Sequence, residues 1–158
     1  MLSVMYIFNM EFKEDEKYLC MLAPSFVAEF DYPEIVYRLR MLGFDEVVEL
    51  TFGAKMVNLA YYEILKESID KGEKKTWISS PCPTLVTMIR TRFPHLIPNL
   101  VPVLSPMGAM ALICRKYYPG YKLVFVGPCI TKKIEAEELG TIDEALTFKE
   151  LNELFIAN

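Results

Sequence analysis

Apolar residues in this chain fall mostly into short unbroken runs separated by longer stretches with helical spacing. "KYLCMLA" (17–23) is a continuous apolar run of strand length, and "PEIVYRLRMLG" (33–43) follows with Pro33 at a helix start and Gly43 at its stop. "DEVVEL" (45–50) reads as a second strand, 52–70 as a long, loosely patterned helix and "TWIS" (76–79) as a third strand. A helix over 83–92 carries Leu85, Met88 and Ile89 on one face.

The proline-rich stretch 93–108 reads as an extended connector with a short strand near 100–104, since proline is not tolerated in a helix interior. A helix over 107–117 leads to "YKLVFVG" (121–127), the clearest buried strand. A charged helical turn follows Cys129, and a short strand at 142–146 precedes a helix whose Thr147 and Glu150 have capping-box spacing.

Strand-then-helix units whose strands are apolar without alternation imply a parallel sheet covered by helices on both faces. The expected fold class is therefore α/β, with residues 1–158 forming one domain. Residues 1–16 carry no clear pattern and are read as a tail or an added edge strand. The helix at 52–70 admits two readings, a partner-binding amphipathic helix or, preferred, a covering helix of the sheet.

Hydrophobic residues make up 53% of the chain, yet no apolar run approaches the length of a membrane span. With no signal-peptide pattern at the start, a cytoplasmic location is expected. A formal net charge of -4 and no basic cluster longer than a pair weigh against nucleic acid or an anionic membrane as the main partner.

The four cysteines, at 20, 82, 114 and 129, have no regular close spacing, and a disulfide framework is not expected in a reducing compartment. Cys20 lies within an apolar strand, and Cys114 shares a helical face with Met107, Met110 and Ala111, so both are read as core. Cys82 and Cys129 differ from them. Each follows an expected strand and an X-Pro step and precedes a helix, which would put both on the carboxyl-end rim of the sheet.

A thiol at a helix N-terminus is biased toward thiolate, the form that binds metal or attacks a substrate, and Lys132 and Lys133 add positive charge beside Cys129. Burial as a small hydrophobe is the competing reading for each. Glu135, Glu137 and Glu138 read most simply as a solvated helix face near a helix start, and Glu135, one turn beyond Lys132, is also placed to pair with it. His95, the one histidine, sits in the connector without a second histidine to share a metal.

"ISSPCPTLVTMIRTRFPHLIPNLVPVLSPM" resembles the first H-cluster motif region in the C-terminal domain of the iron-only hydrogenase large subunit, whose usual form is Thr-Ser-Cys-Cys-Pro followed later by Ser-Pro-Met. "FVGPCITKKIEAEE" is similar to the second, Met-Pro-Cys-x-x-Lys-x-x-Glu. "LAPSFVAEF" and "LGFDEVVELTFGAKM" resemble the segments that precede them, so the likeness spans about residues 17–155 in the family's order.

The resemblance implies one lobe of the hydrogenase catalytic fold, with Cys82 and Cys129 as thiolate ligands of a [4Fe–4S] cluster. Lys132 matches the lysine that holds the diiron portion and Glu135 the glutamate after it. Three departures accompany it. Pro81 stands where the family has its proton-relay cysteine, Gly127 stands where methionine is usual, and the third motif, with two further ligands, is not found before Asn158.

Two thiolates do not complete a cubane, and a diiron H-cluster is not expected. The pattern looks most like the hydrogenase-like sensory proteins, which implies a redox- or hydrogen-sensing module with ferredoxin-like or signalling domains, or the second lobe, as partners. Self-association through the face that lobe would cover is also expected. Two alternatives stay open: a component of an active hydrogenase completed by other sequence, and a cluster-free interaction scaffold.

Overall fold

A computed structural model describes residue 10 and residues 12–157. Four strands, β1 (Lys17–Leu22), β2 (Glu46–Glu49), β3 (Tyr121–Gly127) and β4 (Glu144–Thr147), form one sheet in the order β2-β1-β3-β4. All three pairings are parallel, with Cys20 facing Val47 on one side and Val124 on the other.

Leu19, Cys20 and Met21 are successive residues that point to opposite faces, and all three are completely buried, so both faces of the sheet are covered. The described residues form six helices, α1 (Glu34–Leu42), α2 (Thr51–Asp70), α3 (Pro83–Arg92), α4 (Pro106–Tyr117), α5 (Thr131–Leu139) and α6 (Phe148–Ala157). The sheet is covered chiefly by α1, α4, α5 and α6, whereas α2 packs on α4 and α3 on α5, so 52–70 is not the expected covering helix of the sheet. This is the expected α/β fold. The capping box forms as the spacing predicts: Thr147 N donates to Glu150 Oε2 at 2.8 Å and Glu150 N donates to Thr147 Oγ1 at 3.2 Å.

The structure departs from the sequence expectation in several places. The segment 76–79 and the stretch 100–104 do not join the sheet; between them β pairing amounts to one isolated parallel bridge, Ile78 with Leu100. Neither is a run of buried residues like the middle of β1 or β3, and Pro102 removes an N–H donor that a ladder would need. The connector is also not wholly extended, since Pro94–Asn99 forms a 3-10 helix. Pro94 occupies its first turn, where a missing N–H costs nothing, and the helix is too short for Pro98 to break an interior.

Helix α2 packs chiefly on α4, and the contact is close. A Cβ added at Gly53 would sit 2.5 Å from the Pro106 carbonyl oxygen and 2.9 Å from Met110 Cβ. Its outer face keeps Phe52, Leu59, Tyr62 and Ile69 exposed, so it forms a second tier over α4. Of the apolar face expected on α3, Ile89 is buried but Met88 is exposed.

The expectation for residues 1–16 falls mostly outside the described residues; within it, the Phe12 ring packs edge-on against Tyr18 and Phe44. Among the described residues, no helix is long and apolar enough to cross a membrane.

Candidate metal centre

The chain steps from β1 outward to β2, then returns past β1 to β3 and on to β4. Such a reversal leaves a crevice beyond the carboxyl ends of the two central strands, here β1 and β3, because the connections leave in opposite directions. Cys129 lies there, two residues past the end of β3 and two before α5.

Cys82 reaches the same place by another route. It precedes Pro83, the first residue of α3, but the segment before it is not a strand of the sheet, so the shared-rim expectation holds for Cys129 alone. Packing of α3 against α5 supplies the proximity instead. Thr84 Oγ1 donates to Thr131 Oγ1 at 3.2 Å, and Lys132 Nζ donates to the Pro81 carbonyl at 3.3 Å. The two turns, each with the pattern Cys-x-Thr, are thereby tied together, and both cysteines are exposed residues.

Thr131 Oγ1 lies 2.9 Å from Cys129 Sγ. Because Thr84 donates to Thr131, the Thr131 hydrogen is free to point at the sulfur. That hydroxyl is the largest influence holding the Cys129 thiol below its ordinary pKa; the Thr131 and Lys132 amides and the Lys132 charge add to it against partial burial. The expected result for Thr131→Val is a pH profile of Cys129 alkylation displaced to higher pH, read by mass spectrometry of the labelled peptide. An unmoved profile would remove Thr131 from the site.

Lys132 and Glu135 pair at 2.5 Å with side chains 15% and 14% exposed, as their spacing predicts. Lys133 turns away, pairing with Glu150 at the start of α6, so only one of the two expected lysines serves Cys129. His95 lies beside the Phe93 ring.

Cys20 and Cys114 are fully buried, and burial pushes the Cys20 thiol far up and the Cys114 thiol up to about 11. Both are core residues as expected and neither is placed to bind metal. Among the described residues no cluster of three or more His, Cys, Asp or Glu side chains converges. The two exposed thiols are fewer than the four ligands a cubane takes, so they do not by themselves hold a whole cluster.

At Gly127 an added Cβ would lie 2.5 Å from the far end of the Phe125 ring and 3.1 Å from Ala23 Cβ. The Phe125 ring thus fills the space in which a longer side chain at 127 would stand. Thr84 and Thr131 leave no mark as site residues in the sequence beyond their equal spacing from the two cysteines.

The family model for the iron only hydrogenase large subunit, C-terminal domain, matches residues 16–158. Iron hydrogenase 1 of Clostridium pasteurianum is 32% identical over 133 residues, covering 75% of this chain and 23% of that protein. Cytosolic Fe-S cluster assembly factor NAR1 of Yarrowia lipolytica is 30% identical over 137 residues, covering 73% of this chain and 27% of its own length. The chain thus spans about a quarter of these relatives.

Two solved structures share the fold. One, from a study of oxygen inactivation of [FeFe]-hydrogenase, superimposes with a TM-score of 0.79 at 24% identity, covering 92% of this chain and 44% of that one. An apo [FeFe]-hydrogenase HydA1 variant from Chlamydomonas reinhardtii gives 0.76 at 23% identity, covering 93% and 45%. With the two motif regions, the parallel fold and the family model in agreement, the chain belongs to the family of C-terminal domains of the iron only hydrogenase large subunit.

Proposed function

We propose that this hydrogenase-like domain is an iron–sulfur module for redox or hydrogen sensing, and not a competent hydrogenase on its own. The carrying observation is the joined pair of Cys-x-Thr turns, which presents Cys82 and Cys129 together and exposed while the other two thiols are locked in the core. Such a pair supplies two thiolates to a [4Fe–4S] cluster whose remaining ligands come from outside these residues, on a second lobe, a partner chain or an added thiol. When bound, that group supplies one-electron chemistry; the residues here hold it and set its surroundings.

Pro81 supports a sensing rather than a turnover role, because it stands at the relay position and its side chain has no proton to pass. Its carbonyl accepts from Lys132, so the position retains a structural use. That one relative of similar identity is named an assembly factor and not a hydrogenase agrees with a family that is not confined to hydrogen turnover. Ferredoxin-like or signalling partners and a cytoplasmic setting belong to this reading.

A second reading, a component of an active hydrogenase, is favoured by one feature: Lys132 and Glu135 are retained as a mostly buried pair beside the cysteine turns. Hydrogen-dependent dye reduction by the cluster-loaded protein separates the two. The sensing reading predicts reversible reduction and reoxidation without sustained dye turnover, and sustained turnover would replace it with the second reading.

A further inference from the structure

We infer that α2 is a template that sets the position of the Cys82 turn, with Tyr61 and Ser68 as positioning residues for a thiol that neither touches. The inference rests on the reading of Cys82 as a site thiol, and its test reads the turn itself. Cys82 needs such support because the segment leading to it has left the sheet and its backbone-to-backbone hydrogen bonds are confined to Ile78, whose N–H donates to Asn99 O and whose carbonyl accepts from Val101 N; the rest of its anchoring is through side chains.

Side chains of α2 take over on both sides of that bridge. Trp77 Nε1 donates to Ser68 Oγ at 3.4 Å, and three residues later Ser80 N donates to Tyr61 OH at 2.7 Å. The spacings agree. Seven helical residues from Tyr61 to Ser68 rise about 10.5 Å, and three extended residues from Trp77 to Ser80 cover about 10 Å. The segment is laid along α2 in the opposite direction at matching length, ending two residues short of Cys82.

The hydrogen bonds at Tyr61 leave little freedom. Ser80 Oγ donates to Val101 O at 2.6 Å, so across the 3.2 Å contact the phenol donates to Ser80 Oγ. The phenol oxygen in turn accepts from Ser80 N and, at 3.3 Å, from Ser79 Oγ. Ser68 is one of only two buried polar residues among those described, and its hydroxyl donates to Glu73 Oε2 while accepting from Trp77.

The test is the alkylation rate of Cys82 by iodoacetamide in the full chain, with Cys129 on the same molecule as internal reference. In Tyr61→Phe and in Ser80→Ala the Cys82 rate is expected to change at least threefold relative to Cys129, with the urea midpoint kept high enough that both variants remain folded during labelling. Ser68→Ala, acting further from the thiol, is expected to give a smaller change in the same direction. An unchanged Cys82-to-Cys129 ratio in folded Tyr61→Phe would overturn the inference, as would equal changes at both thiols. Because labelling is done without iron or sulfide, neither outcome depends on whether a cluster forms.

Discussion

Replacing Lys132 by methionine is expected to lower stability by about 3 kcal/mol, because it leaves the Glu135 carboxylate largely out of water without its partner. Two effects combine. The ion pair is lost where each side chain is about 15% exposed, so solvent screens little, and the donor to the Pro81 carbonyl that ties the two cysteine turns disappears. Removing both charges in Lys132→Met/Glu135→Gln is expected to recover at least half the loss, since the cost of breaking such a pair lies mainly in the stranded charge. Urea midpoints of the two singles and the double measure this. Equal losses in Lys132→Met and the double variant would show that the pair is not the cause.

The second large effect is expected at Gly53, where alanine lowers stability by about 2 kcal/mol. An isolated helix would gain about 1 kcal/mol from this substitution. Here the added methyl meets a backbone oxygen at 2.5 Å and Met110 Cβ at 2.9 Å, and overpacking of this kind costs about 3 kcal/mol at the upper end of its usual range. Sterics therefore win. Relief requires α2 to lift from α4, which also moves Tyr61 and Ser68, so the Cys82 labelling rate should change along with the urea midpoint. A Gly53→Ala protein as stable as the parent would show that the α2–α4 contact yields without cost.

Much of this was legible in the amino-acid order, for reasons that differ between elements. β1 and β3 announce themselves because a strand buried on both faces must be apolar at every position, and the Thr147–Glu150 box because a cap is a local matter of three residues. Cys20 and Cys114 were legible as core from their apolar neighbours. The segment 76–79 misled because a short apolar run before a turn reads as a strand, whereas membership of a sheet depends on partners far away in the chain. Its real supports, Ser68 and Tyr61, lie 9 and 19 residues from the positions they hold and leave no periodic trace.

The same limit applies to the site. The placement of Cys82 and Cys129 in turns before helices was readable, and so was the Lys132–Glu135 pair at helical spacing. The contact that joins the turns was not, since Thr84 and Thr131 are 47 residues apart. Nor did the sequence show that Phe125 closes the space beside Gly127, two residues along the same strand and on the same face.

Whether Cys82 and Cys129 act as a pair of cluster thiolates is tested most directly by anaerobic reconstitution with iron, sulfide and an exogenous thiol. Iron content and visible absorption of the parent chain are compared with those of Cys82→Ser and Cys129→Ser. The expected result is substantial cluster in the parent and its loss in each variant, with Cys20→Ala and Cys114→Ala losing none in the folded fraction. Absence of cluster in the parent, or the same cluster content in all of these proteins, would contradict it.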